Sequence, residues 1–395
     1  LKKGGAKEEV IISDIDLGNN RRIKDGWGFL RNRRPDSYEE LWHEAHLKSS
    51  ALTPARLGYE FPAEWEKHDS VFLSWPHDRV SFSQMEKAER AYIQILRALE
   101  ETGSEKVNLF VTGKKIKTGI GKILSEEGLD FKRINFCIHD YADVWFRDYG
   151  PTFVVNRAKK KLAMVKWKFN AWGAKYKALM KDDRFPELMN REMKLPYFDS
   201  GIVMEGGSID GNGKGCLLTT EQCLLSPKRN PRHGKEDIEQ ILCAHLGVKK
   251  IIWLGKGVAG DDTDGHVDNL ARFVNPGTIL CAFEEGKKDE NYTNLKGNYD
   301  SLLRARDQDG RPFKIVKLPV PHFYYKRHRY PASYTNFYIA NNAVLVPQFN
   351  LSSDSKALQT IRRFFPGRKT IGIDCSGIIL GMGSVHCISQ QQPRP

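Results

Sequence analysis

Five stretches with a helical apolar period, near residues 117–127, 177–193, 235–246, 295–306 and 354–365, recur at intervals of roughly sixty residues, longer than the usual solenoid repeat. The clearest of them, 235–246, puts Ile238, Ile241, Leu242 and Leu246 on one face and stops at Gly247. β-rich runs follow the clearer helices at 248–254, 313–318 and 369–373. Units that each combine helix and strand predict a closed array of α/β modules. Upstream, 71–75, 107–111 and 134–138 read as strands. Ser83 is placed to cap a helix over 84–102 that carries Ala88, Tyr92, Ile95, Leu96 and Leu99 on its apolar face and ends at Gly103.

With 40% hydrophobic and 28% charged residues in 395, the chain has the balance of an ordinary globular protein with a sizeable core. No apolar run approaches membrane-spanning length, and the start Leu1-Lys2-Lys3-Gly4-Gly5 does not resemble a signal peptide. A cytoplasmic protein is expected, and the absent initiator Met suggests a fragment or a processed product. Seven cysteines without CxxC spacing argue against a disulfide framework and against a zinc ribbon. The net charge of +13 is dispersed in short runs such as Lys159-Lys160-Lys161 and Arg362-Arg363 rather than gathered with aromatics, so nucleic acid is not the expected partner.

Residues able to carry chemistry fall in loops after the predicted strands: 143–151, 203–208, 265–269 and 381–393. In the last of these, Gly381 and Gly383 leave room for a ligand beside Cys387, the candidate nucleophile. The adjacent His386 would point to the opposite face of an extended segment, so the base must come from elsewhere. His266 is the candidate, and an extended 266–268 would put Asp268 on its face. A cysteine protease would want the thiol and imidazole, but the additional carboxylates Asp148, Glu205 and Asp268 suit a neutral amide poorly. A guanidinium explains them, being planar, cationic and rich in paired donors. Asp148 and Asp268 would clamp it while Cys387 attacks its carbon. His266, oriented by Glu205, would protonate the departing ammonia and then activate water. No metal or organic cofactor is required, and zinc-ligand spacing is lacking.

The segments DVWFRDYGP, FNAWG, MEGGSIDG, LLTTEQCLLSPKRNP, GHVDN, SYTNFYIAN and HCISQQQP together resemble agmatine deiminases of the guanidine-modifying pentein superfamily, over residues 57–395. The resemblance implies an α/β fold, a five-bladed propeller of pseudo-fivefold ββαβ modules spanning a catalytic domain at 51–395. It also implies hydrolysis of agmatine, a small guanidino substrate, to N-carbamoylputrescine and ammonia in putrescine synthesis. It assigns the nucleophile to Cys387, the acid/base to His266, its partner to Glu205, and guanidinium binding to Asp148 and Asp268. A homo-oligomer without cofactor is expected. Two departures bear on substrate choice: Ala174 stands where the family usually has a second glycine after FNAWG, and GMGSVHC replaces GGGNIHC. Residues 1–50, with WGFLRNRRPDSY at 27–38, resemble the C-terminal tail of N-carbamoylputrescine amidases. That family's catalytic residues lie upstream of such a tail, so the segment suggests fusion or association with an enzyme that would consume the product.

Two other readings stand beside this one. A bacterial-type peptidylarginine deiminase would need a cation for a peptide carboxylate, for which Arg157 is the candidate. Agmatine instead ends in an ammonium, and Trp145 or Trp172 could line its pocket, core packing being the other role open to both. Asn336, in a loop-like stretch, is a candidate for site contact or for a turn. A non-catalytic basic protein that binds nucleic acid would betray itself by steep salt dependence.

Overall fold

The computed structural model describes residues 52–395, and one compact body runs Thr53–Pro395. The expectation for residues 1–50 lies outside the described residues.

Five separate sheets share one connectivity. In four of them an outer strand pairs antiparallel with a central strand, and a helical crossover then brings a third strand in parallel. Thr152–Asn156, Lys161–Lys168 and Tyr197–Val203 form the first such set. Asp210–Gly211, Cys216–Thr220 and Lys250–Leu254 form the next, then Ala271–Asn275, Thr278–Phe283 and Lys314–Pro319, then Tyr338–Ile339, Ala343–Gln348 and Lys369–Asp374. The remaining sheet follows the same plan with its outer strand taken from the chain's end. Ser389–Pro393 pairs antiparallel with His68–Ser74, which pairs parallel with Lys106–Val111 and that in turn with Ile134–Ile138.

Central strands such as Thr278–Phe283 are buried along their whole length, which accounts for apolar runs without alternation: a strand covered on both faces has no polar side. The covering helices supply one face. Lys235–Leu246 buries Ile238, Leu242 and Leu246 and is closed by Gly247 in the left-handed region, each aliphatic side chain contributing about 1.5–3 kcal/mol by burial.

The expected helix over 84–102 is observed as Met85–Glu101, but Ser83 does not cap it. The first helical residue is Met85, so the N-cap place falls to Gln84, which makes no capping bond. The predicted 177–193 helix divides into a 3-10 stretch, Lys177–Arg184, and an α-helix, Phe185–Met193. Pro186 sits in the first turn of the latter because an imino acid is tolerated there and not in a helix interior.

Candidate active site

Each connection that leaves one sheet for the next delivers a polar group of the site. The link from Ile138 to Thr152 carries Asp148, and that from Val203 to Asp210 carries Glu205. The link from Leu254 to Ala271 carries His266 and Asp268, that from Pro319 to Tyr338 carries Asn336, and that from Asp374 to Ser389 carries Cys387. All six side chains are buried.

Gly207 marks where three of them meet. A Cβ on it would lie 2.6 Å from His266 Nδ1, 2.9 Å from Asp148 Oδ1 and 3.0 Å from Asp268 Oδ2. Its bare backbone instead donates N–H to Asp148 Oδ1 at 3.1 Å. Asp148 Oδ2 accepts from Trp172 Nε1 at 3.0 Å, so this tryptophan is fixed as a carboxylate orienter while its ring also packs in the core. Trp145 packs against the thiol's loop: a Cβ on Gly383 would lie 2.3 Å from its Cζ3 and 3.0 Å from Cys387 Cβ. Its own Nε1 is spent on Asp143.

Cys387 Sγ lies 3.8 Å from Asp268 Oδ2 and receives Asn336 Nδ2 at 3.1 Å. The Asn336 carbonyl accepts the His386 N–H at 3.0 Å, so the candidate turn residue contacts the thiol directly. Around residues 266–268 the expected extended geometry is replaced by a 3-10 turn, Val267–Asn269, after an extended His266. His266 and Asp268 reach the site by that turn and not by strand alternation. The residues flanking Cys387 are likewise a turn before the strand Ser389–Pro393, so His386 is directed by the turn rather than by pleating.

His266 has a carboxylate at each ring nitrogen, Asp148 Oδ1 3.6 Å from Nδ1 and Glu205 Oε2 3.6 Å from Nε2. Neither contact is short enough to be a formed hydrogen bond, and both nitrogens are otherwise unpartnered. Glu205 is held by Arg229, whose Nε lies 2.9 Å from both carboxylate oxygens. Burial opposes ionisation at Glu205, but Arg229 and His266 bring its carboxyl down to about 2. Asp148 goes the other way: burial, with Asp268 and Glu205 nearby, outweighs His266 and lifts it to about 6. Burial also opposes charge on His266, yet Asp148, Cys223 and Glu205 hold it well above the usual imidazole range. Burial, then Asp268 and Asp148, push the Cys387 thiol well up. Burial and the neighbouring carboxylates thus favour the thiol at Cys387, while carboxylates favour the charged imidazole at His266.

Two features escaped the sequence reading. Arg229, inside a segment recognised only as a motif, pins Glu205. Cys223, whose Sγ lies 3.8 Å from Glu205 Oε2, completes with Glu205 and His266 a buried set of metal-ligand types. Arg229 already engages both Glu205 oxygens and would repel a second cation there. Arg157, the candidate carboxylate receptor, is instead committed to Glu60 and, at 2.6 Å, to Glu66.

A buried thiol, an imidazole between two carboxylates and a third carboxylate, all supplied by the links between sheets of an α/β scaffold, therefore meet in one buried place. A curated relative from Legionella pneumophila (strain Paris), provisionally named an agmatine deiminase, is 37% identical over 347 residues, covering 86% of this chain and 97% of its own. The structure of the agmatine deiminase of Enterococcus faecalis, described as catalysing its reaction, superposes with a TM-score of 0.79 at 31% identity, covering 87% of this chain and 98% of that one. A C. jejuni agmatine deiminase with substrate bound matches at a TM-score of 0.76 and 31% identity, over 85% of this chain and 96% of its own. The chain belongs to the Porphyromonas-type peptidyl-arginine deiminase family, whose pattern its residues 60–393 match. Among the described residues no helix is long and apolar enough to cross a membrane.

Proposed function

We propose that the protein is an agmatine deiminase, hydrolysing agmatine to N-carbamoylputrescine and ammonia on a five-bladed ring of ββαβ modules. The observation that carries the reading is that Cys387 Sγ lies 3.8 Å from Asp268 Oδ2, where Asp148 and His266 also converge around Gly207, and burial with Asp268 and Asp148 pushes its thiol up. A guanidinium seated between those carboxylates cancels their repulsion and frees the thiolate at the moment its carbon arrives. Five sheets of one connectivity, each handing on to the next through a site-bearing link, with the last strand completing the first sheet, support the ring.

As the cation binds, the thiol proton leaves to solvent and Cys387 Sγ bonds to the guanidinium carbon. Asp148 and Asp268 hold the substrate nitrogens. His266, an imidazolium steadied by Glu205, gives a proton to one nitrogen, which departs as ammonia and leaves an S-linked thiouronium. The neutral imidazole then takes a proton from water as that water adds to the same carbon. Collapse expels the Cys387 sulfur, which takes up the hydroxyl proton and regains its thiol, and leaves the product urea. General acid and base help of this kind is typically worth about 10² to 10⁴-fold.

The same chemistry on a peptide's C-terminal arginine would need a cation for the carboxylate, and Arg157 is bound to Glu60 and Glu66. Agmatine, free arginine and a peptide ending in arginine, offered side by side with ammonia measured, test the choice: turnover of agmatine above the other two is expected. Cys387→Ala should release no ammonia from any of them while melting within a few degrees of the parent. Wild-type turnover by that variant would remove the nucleophile assignment.

A further inference from the structure

Behind the Asp268 carboxylate stands a group with no part in the chemistry above. His386 Nδ1 lies 2.8 Å from Asp268 Oδ2, and Nε2 lies 2.9 Å from Glu64 Oε2. All three side chains are buried, the histidine 2% exposed. A neutral imidazole has one N–H, so hydrogen bonds to two ionised carboxylates require both ring nitrogens protonated. Glu64 is itself anchored. It accepts the Ile339 N–H at 2.8 Å and faces Arg272 Nη2 at 3.0 Å and Arg147 Nη2 at 3.5 Å. Arg147 Nε also donates to the His386 carbonyl, so the ring is held at its backbone and at its far nitrogen. Asp268 Oδ1, by contrast, has no partner although it is buried. One oxygen is gripped from behind while the other is left free.

We infer that His386 is a positioning residue for the reaction: an imidazolium, fixed by Glu64, that holds Asp268 with Oδ1 open to the substrate guanidinium. The inference rests on the reading that Asp268 binds that cation. Asp268 is faced by His386, His266, Arg272, Cys387 and Asp148, and His386 by Asp268, Glu64 and Arg147. Burial opposes charge on both carboxylates, yet the His386 hydrogen bond and charge, with His266 and Arg272, keep Asp268 below the usual range. Arg272, His386 and Arg147 keep Glu64 well below it. His386 thus keeps a carboxylate ionised next to a nucleophile that must itself become an anion, and a neutral side chain at 386 would lose that.

Agmatine affinity, read by calorimetry in the inactive Cys387→Ala background, separates the possibilities. His386→Gln, whose amide reaches the Glu64 side but not Asp268, should weaken binding about tenfold or more, the loss of one charged hydrogen bond. Asp268→Asn should weaken it further, and adding His386→Gln to Asp268→Asn should cost nothing more, because the histidine acts only through that carboxylate. In the enzyme with Cys387 intact, His386→Gln should raise KM more than it lowers kcat. His386→Asn, whose amide takes the place of Nδ1, should keep more of the affinity than the glutamine, and it stands in should the glutamine not fold. Additive losses in the combined variant, or a loss confined to kcat with KM unchanged, overturn the inference. Should Asp268→Asn lose binding while both His386 variants bind as the parent does, only the histidine's role falls. Should Asp268→Asn itself bind agmatine like the parent, the guanidinium reading falls and takes this one with it.

Discussion

Asp148 and Glu205 are both buried carboxylates flanking one imidazole, yet burial prevails at the first and cations at the second. The Glu205 carboxyl, lowered to about 2 from the usual 4.5, contributes stability above the unfolded value that is lost as pH falls toward 2. Asp148, raised from 3.8 to about 6, works in the opposite sense: the fold gains as it protonates, and its charge costs stability at neutral pH. Each shift amounts to about 3 kcal/mol. His266, raised, likewise contributes below the ordinary imidazole value and loses that contribution as pH rises through its folded one. Because the proposed cation needs Asp148 ionised, kcat/KM should fall as pH drops through about 6 while the empty enzyme's Tm rises over the same interval. Parallel profiles from the two titrations would remove Asp148 from the clamp. Arg229 gives a sharper expectation. Arg229→Met strands Glu205 without its guanidinium, a buried unpaired charge, and should cost about 3–5 kcal/mol in a denaturant titration. The five catalytic candidates were readable because each lies in a polar, glycine-bearing stretch after a β-rich run. Glu64 and the role of His386 were not, since their meaning comes from contacts with Asp268 and the two arginines that join sequence positions hundreds of residues apart.

Between sequence and site lie elements whose backbone carries strain. Residues Ala171, Trp172, Gly173 and Ala174 run consecutively through the left-handed region, at φ 54°, 55°, 84° and 62°. The turn is held by Asn170 Oδ1, which accepts the Gly173 N–H at 2.8 Å, and it aims Trp172 at Asp148. Ala174 was noticed in the sequence only as a departure from a second glycine. The structure gives the departure a physical meaning, because a Cβ in that region costs about 1–2 kcal/mol. The residue is exposed and its Cβ makes no packing contribution to lose. Ala174→Gly should therefore stabilise the protein, by about 0.5–1 kcal/mol after the greater freedom of glycine in the unfolded chain is subtracted. An unchanged or lowered denaturation midpoint would show the strain to be relieved elsewhere. The long helices, and strands such as Lys250–Leu254 and Lys369–Asp374, were legible to within a few residues, whereas Lys161–Lys168, Thr278–Phe283 and Ala343–Gln348 were not assigned, because strands buried on both faces show no alternation. The short outer strands Asp210–Gly211 and Tyr338–Ile339 were not, since two residues carry no period.

At the scale of the whole molecule, residues 389–393 are joined to a strand far upstream of them. Ser389–Pro393 lies against His68–Ser74 with Val71 opposite Gln391 and Leu73 opposite Ser389. Three further contacts bind the same region to the link between Ile138 and Thr152. Arg147 N donates to the Cys387 carbonyl at 3.1 Å, its Nε to the His386 carbonyl at 3.3 Å, and its Nη1 to Gln391 Oε1 at 2.8 Å. Cys387 therefore hangs between a 3-10 turn, Ile378–Gly381, and a strand whose partner was made more than three hundred residues earlier. Closing so long a span costs little more entropy than closing a shorter one, about 0.6 kcal/mol per doubling. Losing it should cost a great deal. Without the last strand, His68–Ser74 becomes an edge with unpaired backbone groups against a buried apolar face, and Arg147 keeps its charge without Gln391. Removal of residues 389–395 should abolish ammonia release and replace the single cooperative melt with a broad one at lower temperature. A truncated chain that still melts sharply at the parent temperature would mean that the terminal strand only decorates a first sheet complete without it, and the proposed ring would then need another closure.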